Sequence, residues 1–156
     1  MSTNQTGIFI TFLLAMIGYA GMTLVMIISI KKKLSRRFWL VTTLIILSHV
    51  LMVWMIHYNW SFTYSIRNGY GGFLIFHSAL VIILISNFVN ETAAFRLIKI
   101  AFVIVTAGAA GAVFRYDVVS YYKVPVIAFA CSGLFFLLWS FKGNRSQAKS
   151  FHEIDY

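Results

Sequence analysis

The chain is poor in the residues on which most enzymes and most disulfide-rich small proteins depend. Its 156 residues include one cysteine, one proline and four acidic residues. The single cysteine, Cys131, cannot form a disulfide within the chain, which excludes a disulfide-stapled fold. No acidic residue lies inside a long apolar stretch, and the P-loop, HExxH, CxxC and G-x-S-x-G patterns are absent. These absences argue against hydrolase and phosphotransfer activity, and we do not expect the chain to be an enzyme by itself.

Apolar sequence is abundant instead, since 60% of the residues are hydrophobic. Five stretches are long enough for an α-helix to cross a hydrocarbon core of about 30 Å. They cover residues 7–30, 38–56, 71–89, 97–114 and 124–141. Because they take up most of the chain, we predict one domain over residues 1–156, an all-α integral membrane bundle of five transmembrane helices.

Positive charge is distributed unevenly between the ends of these predicted helices. Ten of the thirteen basic residues fall in three clusters that five spans place on one side of the membrane. The clusters are Lys31, Lys32, Lys33, Arg36 and Arg37; Arg96 and Lys99; and Lys142, Arg145 and Lys149. The positive-inside rule makes this side cytoplasmic, so we predict the N-terminus outside and the C-terminus inside. The net charge of +9 therefore indicates anionic lipid headgroups, bound by residues 31–37, and no nucleic acid.

The longest connection between two spans, residues 57–72, is unusually aromatic. Its sequence HYNWSFTYSIRNGYGG holds four aromatic rings besides His57 and Tyr58. Tryptophan and tyrosine are enriched at headgroup depth. We therefore expect this loop to lie in the membrane interface or to pack on a neighbour, and we expect Trp39 and Trp139 to mark the opposite membrane boundary.

Two histidines, His49 and His77, lie inside predicted spans, where ionisable residues are uncommon and are functional candidates. His49 is eight residues from His57, or about 12 Å along a helix. His77 is seven residues from Tyr70, or about 10 Å, so adjacent antiparallel helices bring both rings to one level. That level suits bis-histidine ligation of haem b, or a shared metal. The alternative is a hydrogen bond from each neutral ring to a hydroxyl or carbonyl group of a neighbouring helix.

Two further features are open to a metal interpretation or a packing interpretation. His57, at the outer boundary, is an additional candidate metal ligand. The first two spans carry five methionines, whose thioethers favour Cu(I) but which also commonly fill cores. These are Met16, Met22, Met26, Met52 and Met55.

Small residues recur at helical spacing in two of the spans. The fourth span contains AGAAGA, residues 107–112, and the first contains Ala15, Gly18 and Gly21. Small residues four apart allow helix backbones to approach closely. We expect them to serve packing within the chain, with specific dimerisation as the alternative.

The segment FLIFHSALVIILI, residues 73–85, resembles the third-helix segment of a family of small uncharacterised bacterial and archaeal membrane proteins. Genes of that family often lie near genes for haem–copper oxidase, and the resemblance places the family histidine at His77. The family has further histidines near its first cytoplasmic loop and after the third helix, where this chain has Lys–Arg and Asn–Glu. The chain is more loosely similar to small transmembrane b-type cytochromes, which usually hold two histidine pairs.

Together these patterns lead to two functional expectations. The first is a non-catalytic accessory or assembly subunit of a larger membrane complex, respiratory or otherwise redox-active. The second is a b-type electron carrier in which His49 and His77 are the axial ligands of haem b. For either function we expect a prokaryotic cell membrane or an organellar inner membrane.

Overall fold

A computed structural model describes residues 3–28, 34–67, 69–115 and 121–152, with side chains described over 6–28, 34–67, 69–115 and 121–140. The described residues form α1 (Thr3–Ile28), α2 (Arg36–Ile56), α3 (Phe62–Ile66), α4 (Tyr70–Ser86), α5 (Glu91–Arg115) and α6 (Lys123–His152). Since the described ranges contain no strand, the all-α prediction is confirmed for them.

Four of these helices are long and apolar enough to cross a membrane. They are Thr6–Ile28, Arg36–Ile56, Glu91–Arg115 and Lys123–Ser140. Helix α4 is apolar but has 17 residues, which span about 26 Å and stand at the lower limit for a membrane-crossing helix. The described helices are therefore compatible with an integral membrane protein.

Each predicted span overlaps one described helix, although α4 ends three residues before the predicted span 71–89 does, and two helical segments are absent from the sequence prediction. Helix α3 lies in the connection that was expected to be a loop, and α6 continues past residue 141 to His152. Helix α5 begins six residues before the predicted span, where the Asn90 side chain accepts the Ala93 amide at 2.9 Å. Hydropathy reports where a helix is apolar, whereas capping groups and polar helix formers decide where it begins and ends.

The long helices alternate in direction along the chain. A Cβ atom on Gly18 would lie 2.7 Å from Ile46, and one on Gly21 would lie 2.7 Å from Thr42, so α1 and α2 are antiparallel. Helices α4 and α5 are the next tightly packed pair, and α6 packs between α1 and α5. Consequently one end of the bundle carries α3 and the start of α4. We call it the α3 end, and we call the opposite end, which carries the start of α2, the Arg36 end.

Helix α1 runs parallel to α6, as expected when α1, α2, α4, α5 and α6 alternate in direction. The ring of Phe12 lies 5.6 Å from that of Tyr122, and the ring of Tyr19 lies 5.9 Å from that of Phe129. In both pairs the two residues are the same number of positions apart in the sequence, so α1 and α6 run in the same direction. The alternation places Arg37, Arg96 and Lys99 with Arg36 at the same end of the bundle.

The core lies where α1, α5 and α6 meet. The Tyr19 hydroxyl is 2.8 Å from that of Thr106, and the Tyr19 ring stacks on Phe102 at 5.7 Å. A Cβ atom on Gly133 would collide with the Phe102 ring, so glycine is what allows α6 to approach α5 here. Met22 and Met26 are fully buried in the same core.

Glycines in α5 divide between the interior and the surface. A Cβ atom on Gly108 would lie 2.8 Å from the ring of Phe76 on α4, whereas one on Gly111 would have nothing within 4 Å. The prediction of packing within the chain is confirmed for Gly18, Gly21 and Gly108.

Candidate functional site

His49 is held by α1. Its Nδ1 lies 2.8 Å from the carbonyl oxygen of Thr11. A carbonyl oxygen can only accept, so Nδ1 carries the proton and Nε2 has the lone pair. The ring is half-buried in this position, and the contact fixes the rotation of α2 against α1.

His77 has hydrogen bonds on both ring nitrogens. The indole Nε1–H of Trp54 donates to its Nε2 at 3.0 Å, and its Nδ1 lies 2.8 Å from the carbonyl oxygen of Phe73. Indole is only a donor and a carbonyl only an acceptor. His77 is therefore the neutral Nδ1–H tautomer, and it connects α4 to α2.

The two histidines contact different helices. His49 is bonded to α1, whereas His77 is bonded to Trp54 of α2 and to its own helix. Ligation of iron by Nε2 of His77 requires the Trp54 hydrogen bond to be given up. Bis-histidine binding of haem b, which equal depth suggests, stays a prediction.

Trp54 and His77 belong to a group of rings that we call the α3-end aromatic cluster. Its members are Trp54, Tyr58, Trp60, Phe62, Phe73 and His77. Phe73 stacks on His77 with centroids 3.9 Å apart, and Phe62 meets Phe73 edge to face at 5.3 Å. Trp54 contacts four members at centroid distances of 5.7–6.5 Å. Edge-to-face and offset contacts of this kind stabilise ring clusters beyond simple burial.

A strained turn brings Trp60 to this cluster. Asn59 and Trp60 have φ angles of 46° and 56°. The left-handed region costs a bulky side chain roughly 1–2 kcal/mol. The turn is retained by the Trp60 amide, which donates to the Trp54 carbonyl at 3.0 Å, and by the Ser61 amide, which donates to Tyr58 at 2.7 Å. It folds the Trp60 indole back to Trp54, with ring centroids 6.4 Å apart.

His57 follows the last residue of α2 and contacts α1. Its ring meets that of Phe12 at 6.5 Å. Partial burial lowers the pKa of His57 below its usual value, and the positive charge of Arg67 lowers it further. Among the described residues, no group of three or more His, Cys, Asp or Glu side chains could hold a metal ion. Metal binding at His57 stays a prediction.

At the Arg36 end, a second tryptophan joins α2 to α4. The Trp39 indole donates to the Ser86 hydroxyl at 2.8 Å, and the Asn87 amide donates to the Thr43 hydroxyl at 3.0 Å. Trp39 and Ser86 are 0% exposed. Trp39 therefore lies inside the bundle, where a hydroxyl group of α4 accepts its N–H, and its position at a membrane boundary stays a prediction. Trp139 is exposed, at 58%.

Basic and acidic side chains strengthen the same junction. The Arg36 guanidinium donates to the carbonyl oxygens of Ser86 and Val89 at 3.3 and 2.6 Å, near the C-terminus of α4. The Leu34 amide donates to Glu91 at 2.7 Å. Cations are favoured at helix C-termini, where carbonyl groups lack helical partners. The sequence indicated headgroup contact for Arg36 but gave no sign of this capping; Lys31, Lys32 and Lys33 lie outside the described residues.

Comparison of the chain with protein-family models, curated proteins and solved structures finds no match.

Proposed function

We propose that this protein is a non-catalytic accessory or assembly subunit of a larger membrane complex, with a respiratory or other redox complex as the partner. The observation that carries the proposal is that buried and half-buried polar side chains of the protein form hydrogen bonds between helices. Trp39, His49, Trp54 and Tyr19 each make a hydrogen bond to a neighbouring helix. Interhelical hydrogen bonds of this kind fix helices within a bilayer. The chemistry of these groups thus supports a rigid scaffold that other subunits can recognise.

The outward helix faces fit the same role. Leu44 of α2, Val81 of α4 and Phe135 of α6 are each more than half exposed, at 52%, 53% and 56%. Apolar faces of this kind are compatible with lipid and with the helices of another subunit, because association in a bilayer depends on shape more than on hydrophobicity. These faces support docking of partner helices alongside lipid.

The proposed membrane arrangement has five spans, with α4 as the third, the N-terminus outside and the C-terminus inside. Helix α4 packs closely along α5, and its length of about 26 Å is near the hydrocarbon thickness. The Arg36 end then faces the cytoplasm under the positive-inside rule. Its basic residues, with Lys31, Lys32, Lys33 and Arg37, would contact anionic headgroups of a prokaryotic cell membrane or an organellar inner membrane.

The proposal is tested by tagging the chain at its native level of expression and solubilising the membranes in mild detergent. On a native gel we expect the chain to migrate with a larger complex whose reduced-minus-oxidised spectrum shows cytochrome bands. A harsher detergent, which dissociates subunits, is the control and should release the chain. Migration of the chain alone in mild detergent would contradict the subunit proposal.

A b-type haem carrier is the second candidate function, and one observation favours it. No described residue makes a hydrogen bond to Nε2 of His49, which leaves a lone pair of the type that binds haem iron. A reduced-minus-oxidised spectrum of the purified chain tests this candidate. A b-type α-band that disappears in His49→Ala would establish it, whereas a flat spectrum from well-folded protein would leave the subunit proposal.

A further inference from the structure

The segment between α2 and α4 exposes aromatic side chains at the level where these two helices end. Trp60, Tyr64 and Tyr70 are 62%, 52% and 60% exposed. We call residues 59–67 together with Tyr70 the outer segment. Large exposed aromatic rings usually mark a surface that meets a partner, and the position of these rings indicates which partner.

The outer segment lies against the start of α4 and does not project away from it. The Phe62 ring of α3 contacts Phe73, the fourth residue of α4, at 5.3 Å. Helix α4 is about 26 Å long, so an α4 that spans the membrane and is centred in it begins close to the edge of a hydrocarbon core of about 30 Å. A segment packed on that turn therefore lies at headgroup depth.

The chemistry of the outer segment matches the headgroup layer. Tryptophan and tyrosine have an apolar ring and a polar edge, which suits them to this depth. Arg67 is exposed, and residues 57–72 contain no acidic side chain. A guanidinium group binds phosphate through two parallel hydrogen bonds. Charge complementarity thus favours lipid phosphates as the occupant of this surface.

The strained turn preorganises this surface. Hydrogen bonds hold Asn59 and Trp60 in the left-handed region, which fixes the Trp60 indole beside Trp54 with its outer face uncovered. A fixed ring loses less conformational freedom when it enters an interface.

We propose that the outer segment is a membrane-interface anchor. Trp60, Tyr64 and Tyr70 lie among the headgroups of the outer leaflet, and Arg67 binds a lipid phosphate. This inference rests on the proposed insertion of five helices, but it does not depend on any partner subunit. It also assigns the aromatic surface of the outer segment to lipid. The alternative outcome of the test is that a protein partner covers this surface.

The test measures the depth of a nitroxide spin label at two positions of the full chain. The chain is reconstituted into vesicles of phosphatidylcholine and phosphatidylglycerol, and depth is obtained from accessibility to oxygen and to a nickel chelate. One sample carries the label on the native Cys131, which is exposed and lies in the middle of the spanning part of α6. The other carries it at Tyr64→Cys in a Cys131→Ser background.

We expect the Cys131 label within about 5 Å of the bilayer midplane and the Tyr64→Cys label about 15–22 Å from it, in the headgroup layer. A deep Cys131 label with a fully aqueous Tyr64→Cys label would overturn the anchor and leave the aromatic surface for a protein partner. An aqueous Cys131 label would instead refute membrane insertion of α6, and the anchor would fall with it. The two failures are thus distinguishable.

Discussion

The hydrogen bond between Trp54 and His77 can be removed with little change in shape. Trp54→Phe deletes the indole donor but keeps an aromatic ring, and His77→Phe deletes the acceptor but keeps a ring stacked on Phe73. Hydrogen bonds between helices in bilayers contribute about 0.6 kcal/mol on average and at most about 1.7 kcal/mol. The 3.0 Å bond is half-buried. We therefore expect Trp54→Phe to lower the free energy of unfolding of the native chain by about 0.6–1.7 kcal/mol more than it lowers that of the His77→Phe variant.

The assay is reversible unfolding in mixed detergent micelles, followed by circular dichroism for the native chain, the two single variants and the double variant. These four chains form a double-mutant cycle. The cycle cancels the loss of packing that each single substitution causes and leaves the coupling energy between Trp54 and His77. Trp39→Phe and Ser86→Ala form the matched control pair. Their 2.8 Å bond is wholly buried, so their coupling should be no smaller.

Two results would refute the reasoning about His77. Zero coupling between Trp54 and His77, alongside measurable coupling of the control pair, would show that the indole does not bond to the imidazole. Loss of a haem absorption band on His77→Phe would show that iron, and not Trp54, occupies Nε2. Either result would return His77 to the set of candidate ligands.

Three further outcomes follow from packing, capping and charge. Gly133→Ala should be less stable than Gly111→Ala by about 1–3 kcal/mol in the same unfolding assay, because only the former methyl meets a buried ring; equal stabilities would contradict that packing. Arg36→Gln should lower the free energy of unfolding by about 1 kcal/mol, since it removes the hydrogen bonds to the carbonyl oxygens of Ser86 and Val89, whereas the variant Arg37→Gln, at the exposed neighbouring position, should change it little. The folded chain disfavours protonated His57, so the unfolded chain binds more protons below pH about 6.5 and stability should fall as the pH is lowered through that value. His57→Gln should flatten this slope, and an unchanged slope would assign it to another group.

The long helices were predictable because an apolar run reports them directly. Helix α3 was not, since its sequence FTYSI mixes aromatic and polar residues and its position depends on the contact of Phe62 with Phe73. The extension of α6 was missed for a related reason, because its residues after 141 are polar. Hydropathy therefore predicts long apolar helices well, and it predicts short or polar helical segments poorly.

The partners of the two candidate histidines could not be predicted from the sequence, and their equal depth stays a prediction. Counting residues places His49 and His77 at similar levels, yet the direction of each ring is set by partners on other helices. Trp54 could have been suspected as the partner of His77, because an indole N–H inside a predicted span needs an acceptor. The carbonyl of Thr11, which holds His49, has no sequence signal, since every residue carries one.

The hydroxyl pair at the centre of the core has a consequence for biosynthesis. Tyr19 and Thr106 are 87 residues apart, and ribosomes add about 5–20 residues per second. About 4–17 s therefore pass between the synthesis of Tyr19 and the synthesis of Thr106, its hydrogen-bond partner. Until then the Tyr19 hydroxyl lacks its native partner, and the core where α1, α5 and α6 meet can be completed only after α6 has also been made.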